Sequence, residues 1–111
     1  MIDTQDLYLI NQYQDDAIST AVYPPDEGLV YCLLQLASEA GEAAGKLGKA
    51  IRKGVEVDTE ALAHELGDVL WYVANAANEL GYDLAEIAAM NIQKLKSRTE
   101  RGVIHGDGDN R

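Results

Sequence analysis

Apolar residues recur every three or four positions along four segments of the chain, and no segment shows the alternation of a strand. A spacing of three and four places side chains on one face of an α-helix. The pattern therefore predicts an all-α fold, an antiparallel bundle of about four helices. The predicted helices span residues 3–21, 29–53, 59–80 and 84–101.

The predicted helix starts carry residues that prefer those positions. Asp3 can cap the first helix, and Asp58 or Thr59 can cap the third. Asp83, followed three residues later by Glu86, has the spacing of a capping box at the start of the fourth. The short links between these helices favour antiparallel neighbours.

The length of 111 residues fits a single domain, 1–111, in which residues 103–111 lack periodicity and are expected to form a flexible tail. The core of so small a bundle is marginal, so we expect oligomerisation to complete it. No apolar run is long enough to span a bilayer, which argues against a membrane partner. A single cysteine cannot form an internal disulfide, and we expect a cytoplasmic protein.

The net charge of −10 limits the partners of this chain. Nine Lys and Arg against nineteen acids make a nucleic-acid polymer an improbable ligand, because such polymers need a cationic surface. A small polyphosphate remains compatible with an acidic protein if a divalent cation lies between the two sets of negative charge.

Two copies of the pattern Leu-Ala-x-Glu-x-Gly-acid lie in residues 36–42 and 62–68, 26 residues apart. Both lie inside predicted helices, where capping cannot explain the acids. Residues three apart project from one side of a helix, so packing the two helices together would collect four carboxylates. The acids are Glu39, Glu42, Glu65 and Asp68.

Four adjacent carboxylates repel one another unless a cation holds them. Oxygen ligands without histidine or cysteine favour Mg2+, with Mn2+ as the alternative. Either motif alone is common on solvated helices, where Glu42 could simply pair with Lys46 one turn later. The two motifs together, each with a helix-interior glycine, favour the metal site.

Polar residues elsewhere are candidates for substrate contacts. Asn91 falls within the apolar stripe of the fourth helix, and Lys94 and Arg98 flank it. These three residues could bind phosphate oxygens. Alternatively, the asparagine is hydrogen-bonded to a neighbouring helix and the two cations are solvated. Trp71 is expected to point outward, to a subunit interface or a stacked base. Gln14 could contact the edge of the nucleotide base, or it could be an amide that makes its hydrogen bonds within the core. Tyr72 completes the candidate base pocket.

These motifs resemble those of MazG-like nucleotide pyrophosphohydrolases, within the all-α NTP pyrophosphatase superfamily. The resemblance rests on Glu39-x-x-Glu42 followed by Glu65-x-x-Asp68, and extends to residues 69–72, 91–95 and 98–102. It implies hydrolysis of a (deoxy)nucleoside triphosphate to the monophosphate and pyrophosphate, to clear unwanted nucleotides. It also implies Mg2+ on the four acids, and a homodimer or homotetramer with the site near the interface.

The resemblance further implies that Asn91 and Lys94 contact phosphate, and that Glu39 or Glu42 is the catalytic base. A dUTPase-like enzyme and a phosphoribosyl-ATP pyrophosphohydrolase belong to the same superfamily and remain alternatives. A non-enzymatic alternative is an acidic helical interaction protein, which would need no Mg2+. A ferritin-like di-iron bundle is disfavoured, because the Glu-x-x-His repeats of that fold are absent.

Overall fold

The computed structural model describes residues 4–108, and over that range the chain forms helices and turns without a strand. The elements are α1 (Thr4–Ser19), a 3-10 turn (Pro25–Glu27), α2 (Gly28–Lys53), α3 (Thr59–Glu79) and α4 (Leu84–Glu100). The prediction of an all-α fold with four helices is confirmed. Asp3, the predicted cap of α1, lies outside the described residues.

Side-chain caps and a glycine set the helix ends. The carboxylate of Asp58 accepts a hydrogen bond of 3.1 Å from the amide of Ala61 at the start of α3. Asp83 and Glu86 form the predicted capping box, with each side chain accepting from the other residue's amide at 2.7 and 3.0 Å. Gly54 ends α2 with a left-handed backbone, φ 67°, which glycine adopts without steric cost.

The five-residue link 54–58 folds α2 and α3 into a hairpin, the largest helix contact of the molecule. α1 packs against α3 and α4. Across residues 4–108, α2 contacts no helix other than α3, so α2 and α4 remain apart. None of these helices is both long and apolar enough to cross a membrane.

A small core forms where α1, α3 and the start of α4 meet. Its centre is Ala17, Ala74 and Leu84. Trp71 packs against this centre, and its indole N–H donates to the Thr20 hydroxyl at 2.8 Å. The prediction that Trp71 points outward is therefore wrong. The apolar stripe of α3 suggested one buried face, but α1 covers a second face of the same helix.

The face of α2 that meets α3 also differs from the prediction. The predicted stripe was Leu29, Leu33, Leu36, Ala40, Ala43, Leu47 and Ile51. Leu33 and Ile51 are 51% and 74% exposed, whereas Cys32 and Ala50 are buried. The larger apolar residues of α2 therefore lie mainly on the side away from α3. We call this side the outer face of α2, defined by Val30, Leu33, Leu34, Leu47 and Ile51.

Candidate metal centre

The α2–α3 hairpin brings acids of the two repeated motifs together. Carboxylate oxygens of Glu39, Glu42 and Glu65 lie within 4.8 Å of one another. Glu39 and Glu65 are half-buried between the helices, and Glu42 is exposed. Asp68 lies outside this group of three, but its charge contributes to raising the pKa of Glu39. Three of the four predicted ligands thus form one cluster, with the fourth beside it.

The electrostatics of the cluster disfavour three free carboxylates. Burial raises the pKa of Glu39 above its ordinary 4.5, as do the charge of Glu42, a hydrogen bond with Glu65 and the charge of Asp68. Oε2 of Glu65 is buried and has no hydrogen-bond partner within the described chain. A buried acceptor without a donor is costly. A hard divalent cation would satisfy this oxygen, so the donor set fits Mg2+ or Mn2+.

One cation contacts the cluster. Nζ of Lys46 lies 3.6 Å from Oε1 of Glu65, so Lys46 reaches across the hairpin to α3. The sequence suggested a pair with Glu42 on the same helix instead. The Lys46 side chain is 40% exposed and that of Glu65 is 14% exposed. Lys46 therefore gives the cluster a partly solvated counter-charge.

Tyr72 joins the acidic cluster to a group of aromatic side chains. Its ring centroid lies 4.9 Å from Trp71 and 6.3 Å from Tyr31, and Tyr23 stacks on Tyr31 at 5.5 Å. Burial and a hydrogen bond with Tyr31 raise the pKa of Tyr72 to about 12, with a further contribution from Glu39. Sequence reasoning did not identify Tyr23 or Tyr31, because their contacts depend on the register of α2 against α3.

Gln14 uses its whole amide within the fold. Its nitrogen donates to the carbonyls of Ala74 and Tyr82 at 3.1 and 3.2 Å, and its oxygen accepts from the amide of Leu84 at 2.9 Å. Gln14 is therefore an amide that makes its hydrogen bonds within the core, the second of the two predicted alternatives, and neither polar atom is left to contact a base. Asn75, which the sequence analysis missed, is likewise fully buried.

The candidate phosphate contacts on α4 are separated from Glu39 and Glu42, since α4 does not touch α2. Asn91, expected to be buried, is exposed on an apolar groove of about 650 Å³ between α1, α3 and α4. Lys94 lines a hollow one turn further along. Arg98 is only 4% exposed, and its guanidinium donates to the carbonyl of Gly108 at 3.5 Å.

The groove approaches the acids from the other side of α3. Tyr13 lines it, and burial raises the pKa of Tyr13, with a smaller contribution from the charge of Asp68. Asp68 therefore lies close enough to act on both the groove and the carboxylate cluster.

Comparison with known proteins relates the chain to one family. The model of the MazG nucleotide pyrophosphohydrolase domain matches residues 30–103, which contain all four acids. The Gene 37 protein of Mycobacterium phage L5 is 45% identical over 112 residues, covering 92% of this chain and 98% of the phage protein. No solved structure matches the chain significantly. With two thirds of its length matched, the chain belongs to the MazG nucleotide pyrophosphohydrolase family.

Proposed function

We propose that this protein hydrolyses (deoxy)nucleoside triphosphates to the monophosphate and pyrophosphate, using Mg2+ or, alternatively, Mn2+. The proposal rests on the cluster of Glu39, Glu42 and Glu65 within 4.8 Å, which two helices of a MazG domain place together. The role would be the removal of unwanted nucleotides from the cytoplasmic pool. No nucleic-acid polymer or membrane takes part.

The three clustered acids would hold the metal, and Asp68 would complete the set from the next turn of α3. A divalent cation held by these acids would supply positive charge to offset the negative charge of the phosphates and of the departing pyrophosphate. The water that attacks the α-phosphorus gives its proton to Glu39 or Glu42.

On the substrate side, Asn91 and Lys94 are proposed to contact phosphate oxygens from the groove. Arg98 was predicted to do the same, but its contact with Gly108 favours a role in holding residues 103–108 against α4. Tyr72 and Trp71 are candidates for the side of the site that receives the base, since their rings adjoin the acidic cluster.

The test is pyrophosphate release from a panel of canonical, deoxy and modified triphosphates, with Mg2+, with Mn2+ and with a chelator. We expect metal-dependent release with the monophosphate as the second product. A strong preference for dUTP or for phosphoribosyl-ATP would identify one of the superfamily alternatives. No release from any triphosphate with either metal would contradict the proposal and favour the acidic interaction protein.

The chain is also proposed to be a homodimer or homotetramer, in which the outer face of α2 is covered by another copy. An added Cβ at Gly48 on this helix would meet nothing within 4 Å among the described residues, so this glycine does not serve packing inside the chain. It costs the helix about 1 kcal/mol relative to alanine. Close approach of a second helix would account for it, as small residues allow.

Sedimentation equilibrium tests this assembly. We expect two or four copies for the wild type and a monomer for Leu34→Glu, whose exposed side chain lies on the outer face. Glu56→Gln, at an exposed position in the link between α2 and α3, is the control and should assemble normally. A monomeric wild type would show that the outer face is not an interface between copies.

The raised pKa of Glu39 predicts how metal binding depends on pH. Because the folded pKa lies above the ordinary 4.5, ionising Glu39 in the metal-free fold costs stability, and this cost builds up as pH rises from about 4.5 to the folded pKa, where it is complete. Metal needs the ionised form. The gain in melting temperature on adding Mn2+ should therefore increase as pH rises above about 4.5. Glu39→Gln should flatten this dependence; an identical profile in that variant would contradict the assignment.

A further inference from the structure

Lys46 is placed to interact with both the acids and an incoming substrate. Its ammonium lies 3.6 Å from Glu65. On its other side is a hollow of about 460 Å³ that Glu42 and Lys49 also line. Gly41 and Gly45 form part of this hollow, and a Cβ at either would meet nothing within 4 Å. The hollow is therefore open next to Lys46, the cation that contacts Glu65 of the candidate metal centre.

The Lys46–Glu65 pair is suited to exchange. At 40% exposure the lysine is partly hydrated, and such pairs contribute little to stability. A divalent cation bound by Glu65 would repel the ammonium, whose flexible four-carbon stem lets it move away at small cost. The ammonium would then need another anionic partner close by.

Distances along α2 indicate what that partner is. A helix rises about 1.5 Å per residue, so Lys46 lies about 6 Å beyond Glu42 and Lys49 about 10 Å beyond it. A triphosphate with its first phosphate at the acids would extend its remaining phosphates towards the level of Lys46, and the long side chain of Lys49 could reach back towards the last of them. Both lysines line the hollow that such a chain would enter.

We propose that Lys46 is a substrate-positioning residue that neutralises Glu65 in the metal-free site and contacts the terminal phosphates of a nucleoside triphosphate once metal is bound. Lys49 extends the same phosphate path by one turn. This inference rests on the proposed function. It assigns the pyrophosphate end of the substrate to α2, in addition to the contacts proposed for α4.

The experiment compares Lys46→Ala and Lys46→Arg with Lys53→Ala, which removes the same charge two turns further along α2. Mn2+ affinity is first measured on the metal-free protein by calorimetry. Lys46→Ala should bind Mn2+ about threefold more tightly, because the competing cation is gone. Its KM for the best triphosphate should rise about tenfold, with a smaller change in kcat. Lys46→Arg should recover most of the KM, and Lys53→Ala should match the wild type.

The two readouts separate the possible failures. If the wild type cleaves a triphosphate while Lys46→Ala keeps both its KM and its Mn2+ affinity, the inference is wrong and the proposed function stands. If Lys53→Ala changed the KM and the Mn2+ affinity equally, the effect would come from the net charge of the protein, which would also overturn the inference. A wild type that binds Mn2+ but neither cleaves nor binds a triphosphate, including a non-hydrolysable analogue, overturns the proposed function and this inference with it.

Discussion

Glu65→Gln is expected to lower kcat/KM for triphosphate hydrolysis about a thousandfold, because it removes the charge of an acid in the cluster whose side chain is only 14% exposed. The substitution keeps the size of the side chain but places an amide group at the buried position of Oε2, which has no hydrogen-bond donor in the wild type. Mn2+ affinity should fall in the same variant. Steady-state kinetics and calorimetry on one preparation measure both effects.

Glu60→Gln provides the matched control on the same helix. Its side chain is 88% exposed and lies beside His64 one turn away, so the same change of charge occurs outside the cluster. We expect wild-type activity and metal affinity. If Glu65→Gln also kept full activity, the carboxylate cluster would not be the catalytic centre.

Gln14→Leu is expected to lower the free energy of unfolding by about 3 kcal/mol, since each buried polar group left without a partner costs about 1–3 kcal/mol. The substitution removes the donors to Ala74 and Tyr82 and the acceptor for the amide of Leu84. These bonds join α1 to α3, to the turn between α3 and α4, and to the start of α4. Urea denaturation with the metal-free protein measures the loss.

Asn11→Leu is the control on the same helix. Asn11 accepts one hydrogen bond, 2.9 Å from the amide of Ala85, at a partly buried site. Its loss should cost about 1 kcal/mol. If Gln14→Leu kept its stability but altered base preference, Gln14 would instead belong to the base pocket, as the sequence first allowed.

The sequence predicted the features that depend on local structure. The four helices and the Asp83–Glu86 capping box follow from periodicity and end preferences within a few residues. The repeated acidic motif predicted which side chains the hairpin would gather, because matched positions on adjacent helices face each other. Three of its four acids lie together.

Features that depend on the packing of one helix against another were not predictable in this way. α2 has two apolar faces, and the pattern of large residues marked the outer one as buried. Trp71 was placed outside because the position of α1 across α3 leaves no periodic signal in α3. Lys46 could reach acids on either helix, and only the register of the hairpin selects Glu65.

The origin of the site in one hairpin has a consequence for the order of folding. Glu39 and Glu65 are 26 residues apart and separated by a single turn, so the loop they close is short and the entropy lost in bringing them together is small. The α2–α3 pair can thus form its contacts before α1 and α4 dock. A cation that binds this early intermediate would accelerate refolding as well as slow unfolding, and stopped-flow refolding with and without Mn2+ would reveal it.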